Sequence, residues 1–353
     1  MAEMRGPGVM LSQFMGDAAP FDSLDGVVRW LAGFGYAGVQ VPVHDPRLID
    51  LERAAAEDGY CRDYRARLAD LGVEVTELAA HRAGQLVAVN PAFSELSDVF
   101  AAPAVRGDPR ARTAWAMRQL RLAIEAAARL GLRRVATFSG AFAWPYAYPW
   151  PPPPPGLIDA AFEELARRWR PLLDHAESAG VDLCFELHPG EDLHDGTTFD
   201  RFLALVDGHR RARILFDPSH MLLQHMDYLG FIDLYADRIG AFHVKDAEFI
   251  RSPRSGVHGG FQDWARRPGR FRSPGDGQVD FAGVFSRLAA AGYDGWAVLE
   301  WECVLKRKED GAREGAPFIR RHIIATAETP FDAALRRPLD RDAARRILGI
   351  GGE

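Results

Sequence analysis

Acidic and imidazole side chains follow apolar segments at several places in the chain. In the segment LFDPSHM, an apolar run that is typical of a buried strand is followed directly by Asp217 and His220. Comparable segments place further groups of this kind after apolar runs: Glu186 and His188, His243 and Lys245, Glu300 and Glu302, and His81. Proteins use carboxylates and imidazoles to bind divalent cations and to transfer protons. These residues therefore indicate metal binding or acid–base chemistry, provided that the fold brings them together.

The elements that would position these residues alternate along the chain. Eight apolar or β-branched segments are predicted as strands: residues 9–14, 38–43, 73–78, 134–139, 181–187, 212–216, 239–244 and 296–301. Helical periodicity predicts helices between them: residues 23–34, 48–71, 110–130, 157–179, 198–207, 231–237 and 281–291. This alternation favours an α/β fold of the (β/α)8 TIM-barrel type over a doubly wound sheet, and no GxGxxG follows the first strand. We predict one barrel domain over residues 1–329, with long loops after strands four and seven, and a C-terminal extension over residues 330–353.

In such a barrel the carboxyl ends of all strands open on one face, where the active site lies. We therefore predict that four residues from successive strands bind a divalent ion: Glu186, Asp217, His243 and Glu300. An oxygen-rich set with one or two imidazoles suits Mn²⁺, the ion we expect, or else Mg²⁺ or Co²⁺, and it is a poor match for structural zinc. Since successive side chains of a strand alternate between faces, Glu186 with His188 and His243 with Lys245 can point into the same mouth.

Each of these residues also has a structural interpretation. A single glutamate at a strand end is usually solvated or ion-paired, and a single histidine there is more often a hydrogen-bonded core residue. The recurrence at equivalent ends of four consecutive strands argues against this interpretation for the set of four ligands. It stays open for the weaker candidates: His81, Asp192, His194, His225 and Glu302.

The loops after strands four and seven are long and rich in aromatic residues. The first contains WPYAYPWPPPPP, which begins at Trp144, and the second extends over residues 247–277 and contains Trp264. Long loops in compact domains are usually lids or binding elements. Trp144 and Trp264 could contribute to an aromatic wall for a sugar substrate, and packing of the loops on each other would explain the same residues about as well.

Composition restricts the classes of function. The 353 residues carry a net charge of −6, which argues against a nucleic-acid partner. No apolar run approaches the ~20 residues of a membrane span, and the first residues do not form a signal peptide. The three cysteines form no CxxC pair, so neither a thiolate zinc site nor a disulfide framework is expected. We expect a cytoplasmic protein.

Several of these segments resemble one known family when they are taken together. FELHPGE, ILFDPSHM, AFHVKD, GDGQVDF and VLEWE are similar to the motifs of the xylose-isomerase-like sugar phosphate isomerase/epimerase superfamily, over residues 9–322. The resemblance implies the same four metal ligands. It also implies that Glu186 and Glu300 act as catalytic acid and base on opposite faces of the substrate carbon. His220 matches the substrate-binding histidine of the family.

The resemblance implies a metal-dependent sugar isomerase or epimerase that abstracts a proton next to a carbonyl through a metal-stabilised enediolate. We expect His188 or His220 to stabilise or protonate the substrate oxygen. Lys245 would add a positive charge unless it pairs with Asp246. The expected partner is a small sugar or keto-sugar, and a homo-oligomer is compatible with the sequence.

An alternative function follows from the long loops. The segment GRFRSPGDGQVDF is more similar to family members that process 3-keto-glycosides. These include lyases and the large subunit of C-glycoside deglycosidases, which works with a small partner subunit. Two further classes are less favoured. An endonuclease IV-like DNA-repair enzyme would need an Asp-x-His after the seventh strand, where only His258 occurs. A catalytically silent barrel would have lost a ligand, and all four are present.

Overall fold

Eight parallel strands close into a barrel in this computed structural model, which describes residues 3–327, 329 and 331–350. The ten strands in chain order are β1 (Arg5–Met10), β2 (Gly38–Pro42), β3 (Glu74–Ala79), β4 (Arg134–Thr137), β5 (Asp182–Glu186), β6 (Ala212–Phe216), β7 (Ile239–Val244), β8 (Asp246–Phe249), β9 (Gly269–Arg272) and β10 (Trp296–Leu299). Around the barrel the order is β1-β10-β7-β6-β5-β4-β3-β2, and β1 closes the ring by pairing with both β10 and β2. The predicted (β/α)8 barrel is confirmed.

Helices follow the barrel strands and cover the outside of the barrel. Within residues 3–324 they are α1 (Leu24–Ala32), α2 (Leu51–Ala56), α3 (Asp58–Asp70), α4 (His81–Gln85), α5 (Ser94–Ser97), α6 (Pro109–Arg129), α7 (Leu157–Ala179), α8 (Gly196–Leu205), α9 (Pro218–Leu223), α10 (Tyr228–Tyr235), α11 (Phe281–Ala290) and α12 (Lys308–His322), and α13 (Arg341–Ile347) belongs to a separate unit that begins at Ala325. A continuous apolar core lies between these helices and the strands, because both sides of the barrel wall are buried. No helix among the described residues is long and apolar enough to span a bilayer.

Two predicted elements differ from the structure. The first strand was placed at residues 9–14, but it is Arg5–Met10, and Ser12–Phe14 form a 3-10 turn. Pro7 is accommodated where the pairing of β1 with β10 is irregular, which is where a strand tolerates a residue without an N–H. The helix predicted over residues 48–71 is two helices, since Glu57 adopts an extended backbone between α2 and α3.

Two small apolar clusters fill the inside of the barrel in addition to the outer core. One contains Ala136, Cys184, Leu215 and Ala241, and the other contains Met10, Ala79, Trp296 and Val298. Layers of this kind are typical of TIM barrels, whose interior is packed rather than hollow. The interior therefore offers a solid base for side chains at the carboxyl ends of the strands.

Two further parts of the described chain do not belong to the eight-stranded barrel sheet. The antiparallel hairpin β8–β9 lies in the segment between β7 and α11. From Ala325 onward the described chain forms a separate small unit that contains α13. The predicted domain boundary between residues 329 and 330 stays a prediction, and residues 328, 330 and 351–353 lie outside the described part.

Candidate metal centre

The four predicted ligands meet at the carboxyl ends of neighbouring strands. Glu186 ends β5, Asp217 follows β6, His243 lies in β7 and Glu300 follows β10. Each contributes one candidate ligand atom, and these four atoms all lie within 4.8 Å of one another. All four side chains are buried. The structure thus brings together the residues that the sequence identified, and their roles remain to be tested.

An apolar layer supports this group from inside the barrel. The residue two positions before each candidate ligand is buried and apolar. These four residues are Cys184, Leu215, Ala241 and Val298. Because side chains two apart in a strand point the same way, each ligand stands directly above one member of this layer. The layer excludes water from below, which strengthens the electrostatic interactions among the groups above it.

The donor set fits a divalent cation. Asp217 accepts a hydrogen bond from the Ser219 N–H through Oδ1 at 2.8 Å and so caps α9. Its Oδ2 is buried and lies 3.3 Å from Nε2 of His220 and 3.8 Å from Nζ of Lys245, but it accepts no hydrogen bond of regular geometry from the described residues. Burial raises the pKa of Asp217 to about 6, and the neighbouring His220 and Lys245 oppose that effect. A buried, unsatisfied carboxylate oxygen beside two further carboxylates is what a cation would satisfy, because buried charges are otherwise paired or neutralised.

Two histidine rings contact Glu186. Oε1 lies 3.1 Å from Nε2 of His220, and Oε2 lies 3.0 Å from Nε2 of His81. Burial alone would raise the pKa of Glu186, but the interactions with these two rings outweigh it and hold the pKa well below the usual value. Glu186 is therefore ionised in neutral solution. His81, for which the sequence left both interpretations open, lies at the centre.

Glu300 is surrounded by different donors. Its Oε2 lies 3.2 Å from Nζ of Lys245 and 3.0 Å from Nδ1 of His243, and its Oε1 accepts a hydrogen bond from Gln13 at 3.2 Å. Burial would raise the pKa of Glu300, but the charge of Lys245 and the interactions with His243 together outweigh it and lower the pKa. In His243, burial lowers the pKa while Glu300 raises it, with a net result of about 9.

Lys245 pairs with the carboxylates of the centre and not with Asp246. In addition to Glu300, its Nζ lies 2.9 Å from Oε2 of Glu302 and 3.8 Å from Oδ2 of Asp217. The carboxylate of Asp246 instead accepts hydrogen bonds from four backbone N–H groups: those of Ala247, Gly275, Gly277 and Val279. Lys245 is thus available to the centre, and Asp246 fixes the end of the loop after β7.

His188 forms one wall of the mouth. Its ring centroid lies 4.1 Å from that of His220, and its Nδ1 lies 2.6 Å from the carbonyl oxygen of Pro189. Burial lowers the pKa of His188 to about 3, so the ring is neutral. Because a carbonyl oxygen only accepts, the proton is on Nδ1, and Nε2 is left as an acceptor.

A cavity of about 460 Å³ extends outward from His188 and His220. Its other lining residues come from the loops after β4, β5 and β7 and from the end of α9: Trp144, Pro189, Leu223, Gln224, Val257, His258, Trp264, Arg267, Gly269 and Phe271. Trp264 packs on Phe271 with ring centroids 5.0 Å apart, and Nζ of Lys245 lies 4.4 Å above the Phe271 ring. Both predicted tryptophans therefore line this cavity, and their contact with a substrate stays a prediction.

A buried aspartate anchors the loop that carries Trp144. Asp192 accepts hydrogen bonds from the N–H groups of Ala143 and Trp144 through Oδ1, both at 2.8 Å, and from that of Phe142 through Oδ2 at 2.7 Å. It is therefore neither a solvated residue nor a ligand. Three other residues that the sequence left open have local contacts: His194 with Trp144, His225 with Phe249, and Glu302 with Lys245.

Sequence reasoning missed three polar residues around the centre. Gln13 contacts Glu300, Gln40 contacts His243, and Glu77 contacts Gln40. For Gln40 and Glu77 a signal was available, since Gln40 is the single polar side chain of GVQVPV and Glu77 is the single charged side chain of VTELA.

Comparisons with known proteins agree with this architecture. A family model described as xylose isomerase-like TIM barrel matches residues 28–322. Inosose dehydratase from Lacticaseibacillus casei is 30% identical over 184 residues, which cover 51% of this chain and 59% of that protein. The matched region thus spans little more than half the length of this curated relative.

Two solved structures have the same fold. L-ribulose 3-epimerase superposes with a TM-score of 0.58 at 19% identity, covering 91% of this chain and 94% of that one. The 3-keto-D-glucoside 4-epimerase from E. coli superposes with a TM-score of 0.60 at 17% identity, covering 89% of this chain and 98% of that one. At such identities the likeness concerns the fold alone.

Proposed function

Because the chain belongs to the xylose isomerase-like TIM barrel family, we propose that it is a divalent-metal-dependent sugar isomerase or epimerase. In this proposal it removes a proton from a carbon next to the carbonyl of a small sugar or keto-sugar. The observation that carries the proposal is the buried group of Glu186, Asp217, His243 and Glu300 at the barrel mouth. Mn²⁺ is the ion we propose for it, since oxygen-rich sites with one imidazole suit harder divalent ions.

Glu186 and Glu300 are the proposed base and acid. Both carboxylates are ionised, and different neighbours stabilise their charges: His220 and His81 contact Glu186, whereas Lys245 contacts Glu300. A carboxylate of low pKa is a weak base, so the C–H bond of the substrate has to be made more acidic. A divalent ion would do this as a Lewis acid on the substrate carbonyl.

The neighbouring side chains would bind and orient the sugar. His220 lies between Glu186 and the cavity, so it can hydrogen-bond a substrate oxygen close to the reacting carbon. The free Nε2 of His188 can accept a hydrogen bond from a sugar hydroxyl. Lys245 supplies a fixed positive charge near the oxygen on which negative charge develops, which is the usual way to lower the barrier of such a step.

The outer cavity favours a second candidate, a lyase acting on 3-keto-glycosides by the same deprotonation. Its volume of about 460 Å³ is within the range of roughly 300–1,000 Å³ that accommodates drug-sized ligands, and it lies beside the metal centre rather than at it. A glycoside would place its second group there, against Trp264 and Phe271. The name of one relative, inosose dehydratase, is compatible with this candidate.

Proton exchange in D₂O tests the proposal. We would incubate the Mn²⁺-loaded protein with free ketoses, sugar phosphates and 3-keto-glucosides and follow deuterium by NMR. Deuterium next to the carbonyl of one class is expected. A product of unchanged formula would indicate an isomerase or epimerase, and loss of a β-substituent would indicate the lyase.

Two variants serve as controls. Glu186→Gln should abolish the exchange. Glu164→Gln, which removes a carboxylate that pairs with Arg167 and Arg168 on the outer helix α7, should leave it unchanged. Absence of deuterium in all three classes, with one equivalent of ion bound per chain, would disprove the proposed chemistry.

A further inference from the structure

A chain of polar side chains continues from His243 across the inside of the barrel. Nε2 of His243, on the side of the ring away from Glu300, lies 3.2 Å from Oε1 and 3.0 Å from Nε2 of Gln40. Nε2 of Gln40 in turn donates a hydrogen bond to Oε1 of Glu77 at 2.6 Å. Gln40 is fully buried and Glu77 is 3% exposed. The three residues belong to β7, β2 and β3, and β10 and β1 separate β7 from β2 in the barrel wall.

The contact with Glu77 determines which way the Gln40 amide faces. A carboxylate accepts and an amide nitrogen donates, so Nε2 of Gln40 faces Glu77 and Oε1 is free to accept. In His243, the nitrogen that faces the carboxylate group is Nδ1, which lies 3.0 Å from Glu300. A histidine binds a metal through an unprotonated nitrogen, and its other nitrogen then carries the proton. Oε1 of Gln40 is placed to accept that proton's hydrogen bond.

We propose that Gln40, oriented by Glu77, positions the His243 ring and fixes its proton on Nε2, so that Nδ1 is free to bind the divalent ion. The inference rests on the proposed metal centre and adds two positioning residues to it. Neither residue contacts the substrate in this proposal.

Burial supports this role over a purely structural one. An amide and a carboxylate inside a barrel lose their hydration, and a hydrogen bond between them only offsets that loss. Apolar side chains of similar size would fill the same volume without this cost, as Val39 and Val41 do on the other face of β2. The polar pair is explained if it holds a metal ligand, because outer partners of ligating histidines set ring orientation and tautomer.

The experiment measures Mn²⁺ binding in the absence of substrate, by competition with a fluorescent chelator. For Gln40→Met, which keeps the side-chain length and removes both polar atoms, we expect the affinity to fall by ~10–100-fold. Glu77→Gln keeps an acceptor for Gln40 but loses the charge, so a smaller loss is expected. Val41→Ala is the matched control, since it alters a buried residue of the same strand on the opposite face. It should change the Mn²⁺ affinity less than about two-fold.

A spectroscopic readout separates positioning from general damage. In the Mg²⁺-loaded, ¹⁵N-histidine-labelled wild type, the NMR signal of His243 should show a protonated Nε2 whose proton exchanges slowly with water, and in Mg²⁺-loaded Gln40→Met this proton should exchange faster because it has lost its acceptor. If the wild type binds Mn²⁺ and Gln40→Met and Glu77→Gln bind it equally well, the inference is wrong while the metal centre stands. If the wild type does not bind Mn²⁺, the proposed metal centre is wrong as well.

Discussion

Replacement of Asp192 tests how the loop after β4 is held at the barrel mouth. Its carboxylate accepts three backbone hydrogen bonds, two through Oδ1 from Ala143 and Trp144 and one through Oδ2 from Phe142. Hydrogen bonds to a charged group contribute roughly 1.5–3 kcal/mol each. In Asp192→Asn, an amide oxygen can keep the two bonds made by Oδ1, while the amide nitrogen faces the Phe142 N–H. We expect a loss of about 2 kcal/mol in the free energy of unfolding.

Asp192→Ala removes all three acceptors. The expected difference between the alanine and asparagine variants is the two bonds that asparagine keeps, about 3 kcal/mol at the lower value per bond. Urea unfolding followed by circular dichroism measures this difference. Hydrogen exchange read by mass spectrometry on a peptide that covers residues 140–147 measures it locally, since these amides should exchange faster in the order wild type, asparagine, alanine.

Asp195→Asn is the control variant, because Asp195 accepts a backbone hydrogen bond as a helix N-cap and does not hold a distant loop. Asp195 accepts a hydrogen bond from the Thr198 N–H at 2.8 Å as the N-cap of α8, a position where asparagine is as suitable as aspartate. This variant should therefore be close to the wild type in stability. Equal losses in Asp192→Asn and Asp192→Ala, or exchange rates in the loop that do not change, would refute the anchoring role of Asp192.

Three further perturbations address the buried carboxyl group, the interior layer and the packing of α12. Burial raises the pKa of Glu191 from 4.5 to about 8, so between these values the folded protein binds a proton that the unfolded chain lacks. The contribution of the Glu191 carboxyl group to stability is thus complete below pH 4.5 and is lost as the pH rises through 8. In the wild type the free energy of unfolding should fall by up to about 1.4 kcal/mol per pH unit across this range, and Glu191→Gln should remove this dependence. Leu215→Ala opens a cavity in the fully buried layer beneath the ligands and should cost about 2–5 kcal/mol in urea unfolding, whereas a loss below about 1 kcal/mol would contradict the close packing inferred there. Gly311→Ala should lower the melting temperature because the added Cβ would lie 1.8 Å from Nε1 of Trp301. This clash should outweigh the helix propensity of alanine, which exceeds that of glycine by about 1 kcal/mol. A rise in melting temperature would show that Trp301 can move aside.

The sequence predicted the barrel because its strand segments are apolar on both faces and alternate regularly with helices. The errors have local causes. Pro7 made residues 5–10 an improbable strand, and only the pairing with β10 shows that an irregularity accommodates it. The break at Glu57 was missed because residues on both sides of it continue a helical pattern.

The group of four candidate ligands could be proposed from the sequence because a carboxylate or imidazole at the end of an apolar run is an anomaly that a single sequence can show. Gln40 was not recognised as their neighbour, since β2 and β7 face each other only after the barrel has closed. Asp192 lies in PGEDLHDG, a composition typical of a solvated turn, and its three backbone partners are about 50 residues away in sequence. Contacts of this kind depend on the path of two loops, which local patterns do not determine.

The apolar layer beneath the ligands also has a kinetic consequence. Leu215 and Val298 are fully buried, so the centre is closed from below and everything that reaches it must pass the barrel mouth. Since the sugar would lie above the ion, the two cannot exchange independently. We expect an ordered sequence in which the ion enters first and leaves last. A bound sugar or competitive inhibitor should then slow the release of Mn²⁺ to a chelator, and the wild-type protein should lose its ion fastest when the cavity is empty.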